Sequence, residues 1–220
     1  MGIAVKRDAS FRSFLAAYPP VPDLTRKLDG VSLAEAIEER FGVQVPGALQ
    51  LFWLRVGAGV YGAGELCFFG DVASGLPGPE ILAWNQEALW RPVSPAPGEG
   101  GPFYFAQTPF GDQLGFRWQD GVALPELFLP DTVESFVLAK DLDQLLYELL
   151  VTPGALCEAE KLQLAIKQLG PLPPGQNFVP NTSPLKGGQI RSFHVESASA
   201  HLAGAMSTWQ LSKAMPAEAR

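Results

Sequence analysis

The sequence is poor in the residues that most often carry metal or nucleophilic chemistry. Its 220 residues include two cysteines, two histidines and three methionines. Cys67 and Cys157 lie far apart in apolar stretches, so we expect two buried free thiols in a reducing compartment rather than a disulfide. His194 and His201 have no companion cysteines or carboxylates at metal-ligand spacing. The sequence therefore predicts no metal site and no bound cofactor.

Charge is also scarce and is unevenly balanced. Only 18% of the residues are charged, and the formal net charge is −7. Lysine and arginine are scattered without a run of three, which argues against direct binding to DNA or RNA. A surplus of negative charge keeps a protein soluble, and it would also suit a basic protein partner.

Long apolar runs are missing as well. No stretch reaches the roughly 18 apolar residues that a membrane-spanning helix needs. The first residues carry no apolar segment behind their basic positions, so they do not read as a secretory signal. We therefore expect no membrane association and a cytoplasmic location.

Aromatic residues and turn formers are abundant. Fourteen Phe and five Trp supply bulky core material, while 23 Gly and 20 Pro indicate many turns and short elements. Helical patterns come first along the chain, strand patterns follow in the centre, and helical patterns return towards the end. This order predicts an α+β fold.

The first third carries helix signals. Apolar residues between Phe11 and Tyr18 recur at helical spacing, and a proline-rich link follows. Ser32 with Glu35 forms a capping box for a second helix that ends at Gly42. Pro46 is expected to open a third helix.

The centre reads as an antiparallel meander. Strands are predicted over 65–69, 103–106, 113–118, 126–129 and 133–139, and a helix is predicted after Pro79. The Gly111-Asp112 and Asp120-Gly121 pairs mark tight turns. Asp141 and Gln144 cap a helix, and another helix is expected from Thr152 to Gly170. A strand over 189–195 and a final helix complete the tail.

These elements carry residues for two candidate chemistries. Residues 57–62 read G-x-G-x-x-G, but a dinucleotide fingerprint needs a strand before it and a helix after it, and here the order is reversed. We interpret them as a helix C-cap followed by a glycine-rich loop. Four carboxylates, which lie at turns or strand ends, normally bond their own backbone there but leave acid–base hydrolysis open as an alternative. They are Asp112, Asp120, Glu126 and Asp131.

The order of motifs between residues 30 and 150 resembles a known superfamily. The motifs are Pro46-Gly47-Ala48-Leu49 opening a helix that ends in Phe52-Trp53, a glycine turn and Phe-rich strand, Ile81, Trp84 and Asn85 on a helix, Tyr104-Phe105-Ala106, the Phe110–Phe116 hairpin, Pro125–Phe128, the Phe136 strand and the Asp141 helix. This pattern is similar to the SUKH superfamily, the Smi/Knr-like group of bacterial immunity and eukaryotic scaffold proteins. Residues 184–188 resemble a proline-to-double-glycine stretch of some longer members.

The resemblance implies a mixed, mostly antiparallel sheet of about five or six strands packed by helices, and no catalysis. It divides the chain into residues 1–29, an N-terminal helix and proline-rich link; 30–150, the SUKH-like core; and 151–220, a C-terminal helical and extended elaboration packed on the core. Bacterial members bind and neutralise a cognate toxin that is often encoded beside them. Eukaryotic relatives act as regulatory scaffolds.

The leading hypothesis is therefore a non-catalytic cytoplasmic immunity protein. Its partner would be a cognate toxin. A scaffold of the same fold without a toxin partner and a hydrolase remain alternatives. We expect the binding surface on the loops at 57–64, 70–78 and 92–102 and at the Gly111-Asp112 turn. The predicted partner-binding residues on or beside these loops are Tyr61, Glu65, Trp90, Asp112, Arg117 and Asp120.

Overall fold

A seven-stranded antiparallel sheet forms the centre of the protein. The computed structural model describes residues 2–90, 92–152, 154, 156–181, 190 and 192–214, with backbone alone for 2–7, 87 and 211–214. The strands are β1 (Pro20–Arg26), β2 (Ala58–Tyr61), β3 (Leu66–Phe68), β4 (Phe103–Gln107), β5 (Gln113–Gln119), β6 (Val122–Leu129) and β7 (Glu134–Val137). They follow one another across the sheet in chain order, and each pairs antiparallel with the next. The predicted α+β fold is confirmed, with more strands than expected.

Helices surround this sheet. Those that the structure describes are α1 (Gly2–Ala17), α2 (Gly30–Phe41), α3 (Gly47–Arg55), α4 (Ile81–Trp84), α5 (Glu87–Trp90), α6 (Leu142–Gln144), which continues into a π-helical turn (Leu145–Leu149), α7 (Ala159–Leu169) and α8 (Ala198–Ala214). Among the described residues, no helix combines the length and apolar character that crossing a bilayer requires.

Both faces of the sheet are covered in its middle. Successive residues of a strand point to opposite faces, and every residue of β4 is buried. Phe103 of β4 contacts Phe41 of α2, with ring centroids 5.8 Å apart. Its neighbour Tyr104 contacts Trp90 of α5 on the other face, at 4.3 Å. The short helices α4 and α5 therefore cover the face opposite α2.

Aromatic rings fill the space between the sheet and the longer helices. Phe14 of α1 makes edge-on contacts with Phe52, Tyr61 and Phe68 at 5.3–5.9 Å. Edge-on aromatic pairs contribute about 0.5–1.5 kcal/mol each beyond the area that they bury. This cluster ties the N-terminal helix to α3 and to strands β2 and β3.

The proline-rich link and the glycine motif form strands β1 and β2, which differs from the loops expected there. Both β1 and β7 lie at edges of the sheet, and an edge strand tolerates prolines because half of its N–H groups need no partner. Gly59 of β2 has φ of +112°, and a Cβ at this position would overlap the carbonyl oxygen of Leu24 in β1. Glycine is thus required where the two strands meet closely, and the motif serves strand pairing rather than phosphate binding.

Of the predicted helix caps, the one at α2 is formed by a different residue and the one at α6 is confirmed. Asp29, not Ser32, caps α2, because its Oδ1 accepts hydrogen bonds from the N–H groups of Val31 and Ser32 at 3.2 Å. The Ser32 hydroxyl donates to Asp29 Oδ2, so this serine supports the cap that it was expected to form. Asp141 caps α6 as predicted, accepting from Gln144 N–H at 2.7 Å.

The C-terminal third packs on the sheet. Strands β8 (Gln176–Pro180) and β9 (Phe193–Ser197) form a separate antiparallel pair. The α7 helix begins at Ala159 rather than at Thr152, and Pro153, expected to start it, lies outside the described residues, as do residues 184–189. A second apolar cluster joins α7 to this pair through Leu162, Phe178 and Phe193, while Leu202 and Met206 of α8 reach the main core.

Candidate functional site

Two of the six residues predicted to bind a partner are core residues. Tyr61 is fully buried, and its hydroxyl donates to the Val56 carbonyl at 3.0 Å. Trp90 is 2% exposed, and its indole Nε1 donates to the Trp84 carbonyl at 2.7 Å. Neither side chain has surface to offer a partner. Sequence pattern alone did not separate them from loop-tip aromatics because each adjoins a glycine- or proline-rich stretch.

Glu65 and Asp112 are half-buried carboxylates. Burial raises the pKa of Glu65. Burial also raises the pKa of Asp112, although the hydrogen bond from the Thr108 hydroxyl to Asp112 Oδ2, 2.8 Å long, works in the opposite direction. The Thr108 oxygen in turn accepts from the N–H groups of Phe110 and Asp112. Asp112 therefore organises the β4–β5 turn.

Arg117 and Asp120 lie at the surface, on the hairpin formed by β5 and β6. Arg117 is paired with Glu126 of β6, whose other oxygen accepts from the Ser135 hydroxyl of β7 at 2.7 Å. Asp120 is exposed and has φ of +50° in the tight turn that Asp-Gly predicted. The end of this hairpin thus presents two of the six predicted residues, Arg117 and Asp120, to solvent.

Apolar and basic side chains surround the hairpin end. Trp118 is 38% exposed, and its Nε1 donates to the Gln44 carbonyl at 2.8 Å. The loop 96–101 lies beside it and separates two grooves of about 150 and 450 Å³ that share Pro97 and Gly98. Val122 is also exposed, but on the opposite face of the same hairpin. We call the residues on the Trp118 side the hairpin-end surface: Arg40, Phe41, residues 96–101 and Trp118.

Strand β7 forms an edge of the same sheet and pairs with the part of β6 that is farther from the hairpin end. All four of its residues are exposed, and Phe136 and Val137 are 47% and 57% exposed. Val137 is paired with Glu126, the carboxylate that holds Arg117. An exposed edge strand with apolar side chains offers unpaired backbone groups to another chain.

A second feature, which no predicted residue marked, is a cleft of about 330 Å³ beside the C-terminal unit. The β6–β7 turn, the end of β8, strand β9 and helix α8 form its walls. The lining residues are Asp131, Val179, Pro180, Asn181, His194, Glu196, His201, Gly204, Ala205 and Thr208. Both histidines of the chain therefore line one cleft. Among the described residues, no three His, Cys, Asp or Glu side chains come together as a metal-ligand set.

A buried chain of hydrogen bonds connects the sheet to this cleft. The Trp84 indole Nε1 donates to Gln113 Oε1 at 2.8 Å. Gln113 Nε2 lies 3.4 Å from Gln107 Oε1 and also donates to the Gly111 carbonyl at 2.6 Å. Gln107 Nε2 then donates to Asn177 Oδ1 at 3.0 Å. All four side chains are buried.

This series of hydrogen bonds continues through His201, a histidine that lines the cleft, to Asp131. Asn177 Nδ2 lies 3.2 Å from His201 Nδ1, and His201 Nε2 lies 3.2 Å from Asp131 Oδ1. Gly111 leaves room for the contact between Asn177 and His201, because a Cβ at position 111 would lie 2.6 Å from His201 Nδ1. We call the connected side chains the polar relay: Trp84, Gln113, Gln107, Asn177, His201 and Asp131.

The relay and the cleft were missed because they join distant segments. Asp131, Asn177 and His201 come from three parts of the chain, and no local spacing brings them together. The available signal was the presence of both histidines in the final helix–strand pair. Cys67 and Cys157 are free thiols as expected, although only Cys157 is buried and Cys67 is half-buried. Burial raises the pKa of each to about 12.

Comparison with known proteins identifies a fold relative. No family model matches the chain, and no curated protein matches its sequence. Among solved structures, the chain is similar to the crystal structure of Atu4351 from Agrobacterium tumefaciens, with a TM-score of 0.58 and 14% sequence identity over 89% of this chain and 88% of that one. Likeness at this identity shows a shared α+β fold and nothing about function.

Proposed function

We propose that the protein is a non-catalytic immunity protein that neutralises a toxin protein by direct binding, with the SUKH-like resemblance as the origin of this proposal. The observation that carries it is the hairpin-end surface, together with the exposed edge strand β7 of the same sheet. Its expected place of action is the cytoplasm. The partner would be a protein with a basic surface, because the chain carries a net charge of −7.

The composition of the surface supports a protein partner. Binding interfaces are enriched in aromatic residues and arginine, and a few such residues carry most of the binding energy. The hairpin-end surface supplies Trp118, Phe41 and Arg40 around two grooves, and the Phe41 ring is also contacted by the Arg40 guanidinium at 5.7 Å. Strand β7 adds backbone groups that an extended segment of the partner would pair with.

The positions of the candidate carboxylates favour binding over hydrolysis. Glu126 is paired with Arg117, and Asp131 with His201. Asp112 is bonded to Thr108, and Asp120 forms an exposed turn. Glu126, Asp112 and Asp120 thus serve the local structure, and Asp131 is engaged by a histidine.

Co-expression tests this function. The neighbouring genes would be expressed with and without this chain, and rescue of growth from one toxic product is expected. Trp118→Ala and Arg40→Ala should then weaken binding of that toxin, with Trp118→Ala costing about 2 kcal/mol. Leu169→Ala is the control, because Leu169 is an exposed apolar residue at the end of α7, outside both the hairpin-end surface and the loops predicted to bind.

The outcomes separate the hypotheses. Rescue with equal affinity in all three variants would move the interface elsewhere on the molecule. Absence of rescue against every neighbouring product would remove the immunity function. Capture of several unrelated proteins through the hairpin-end surface would instead indicate a scaffold.

A further inference from the structure

The direction of the hydrogen bonds in the polar relay determines what its last members offer to the cleft. An indole N–H donates and never accepts. Because Trp84 donates to Gln113 Oε1, the Gln113 amide nitrogen is left to donate to Gln107 and to the Gly111 carbonyl. The same orientation passes through Gln107 to Asn177, whose Oδ1 accepts.

This orientation sets the tautomer of His201. Asn177 Nδ2 carries hydrogens and lies against His201 Nδ1, so Nδ1 accepts. The proton of the neutral ring is then on Nε2, from which it is donated to Asp131 Oδ1. The relay therefore ends on a carboxylate, which presents its remaining lone pairs to the cleft.

A second, shorter series of hydrogen bonds also leaves an acceptor facing the cleft. Asn181 Nδ2 donates to the Ser192 hydroxyl, so Asn181 Oδ1 accepts from His194 Nδ1 at 2.8 Å. The neutral His194 ring is left with Nε2 as an acceptor. The Thr208 hydroxyl donates to the Gly204 carbonyl within α8 at 2.9 Å, which leaves its oxygen as an acceptor too.

The lining of the cleft is therefore rich in acceptors and negative charge. Asp131 and Glu196 carry carboxylates, and no Lys or Arg is among its ten described lining residues. The second amide hydrogen of Asn181 is the side-chain donor that remains among the described lining residues. Val179, Pro180 and Ala205 supply apolar wall beside these polar groups.

We propose that this cleft binds an alkylguanidinium group, such as the side chain of arginine or a small molecule of the same chemistry. A guanidinium offers five N–H donors in one plane and no acceptor, which matches two carboxylates and an imidazole acceptor. The apolar wall would contact the alkyl stem. The volume of about 330 Å³ suits a small ligand. This inference stands whether or not the protein neutralises a toxin.

Titration with agmatine, an alkylguanidinium, tests the proposal. The full chain contains only two histidines, so the ring nitrogens of both are followed by long-range ¹H–¹⁵N spectra at neutral pH. Free protein should show His201 as the Nε2–H tautomer, and agmatine should shift both rings saturably. Asp131→Asn, whose amide oxygen still accepts from His201, should weaken agmatine binding about tenfold or more.

Controls keep the test decisive. Asp120→Asn removes an exposed carboxylate outside the cleft and should leave the agmatine affinity within about twofold. Glu196→Gln is the second variant if Asp131→Asn does not fold. Absence of saturable shifts with agmatine, equal shifts with sulfate, or unchanged affinity in both cleft variants would overturn the proposal.

A further pair of probes identifies the source of the guanidinium. Tight binding of agmatine or free arginine would indicate a small-molecule ligand. Weak agmatine binding with tighter binding of an arginine-containing peptide, lost in Asp131→Asn, would indicate an arginine of a protein partner.

Discussion

Asp112 lies in the β4–β5 turn, where its side chain accepts a hydrogen bond from the Thr108 hydroxyl. Burial there disfavours the charged form of the carboxyl group. Burial raises the pKa of Asp112 above its ordinary value, with the Thr108 hydrogen bond opposing the effect. An acid whose pKa is higher in the folded state than in the unfolded state contributes stability at low pH. That contribution is lost as the pH rises through the folded-state pKa.

The variant Asp112→Asn should therefore be more stable than the parent at neutral pH. Its amide is neutral at every pH and still offers an oxygen to the Thr108 hydroxyl. Chemical denaturation at a series of pH values would measure the difference in the free energy of unfolding. We expect that difference to grow as the pH rises above about 4, the ordinary Asp range, and to shrink below it. A pH-independent difference would show that lost hydrogen bonding, not charge, governs the site.

At the scale of elements, the pairing of β1 with β2 depends on the glycine motif. Gly59→Ala would place a Cβ against the Leu24 carbonyl and would force an L-residue into φ of +112°. We expect a loss of more than about 2 kcal/mol in the free energy of unfolding, because both the contact and the backbone angle are unfavourable. Urea denaturation followed by tryptophan fluorescence measures this loss.

A second glycine provides the control for that experiment. Gly47 begins α3, and a Cβ there would meet nothing within 4 Å. Gly47→Ala should leave stability unchanged or raise it slightly, by up to about 1 kcal/mol. If Gly59→Ala were as stable as Gly47→Ala, the close approach of β1 and β2 would not limit the fold.

The elements also explain which parts of the structure were predictable. The Asp120-Gly121 hairpin and the Asp141 cap follow from residues a few positions apart, and both are confirmed. Strand β1 was missed because its prolines read as a link, although an edge position accommodates them. The candidate site was less predictable still: Arg117 and Asp120 reach the surface, but the burial of Tyr61 depends on helix α1 packing over it.

At the scale of the whole molecule, the polar relay adds hydrogen bonds between the sheet and the C-terminal elements that already pack against it. It runs from α4 through β5 and β4 to β8 and α8, and it ends at the β6–β7 turn. Each member has a hydrogen-bond partner, and a fully satisfied buried network specifies one arrangement of the elements around it. The relay thereby holds the cleft at a defined position relative to the hairpin-end surface.

Net charge acts over the same whole-molecule range and has a kinetic consequence for the proposed function. The charge of −7 should attract a basic toxin before contact, because long-range attraction raises the association rate. Stopped-flow measurements should find an association rate that falls about tenfold or more from low to high salt, with a nearly constant dissociation rate. The double variant Glu35→Gln/Glu39→Gln, on the exposed side of α2, should slow association at low salt and have little effect at high salt, since salt screens these charges. An association rate that is insensitive to salt in the parent chain would mean that contact chemistry at the hairpin-end surface, rather than long-range attraction, selects the partner.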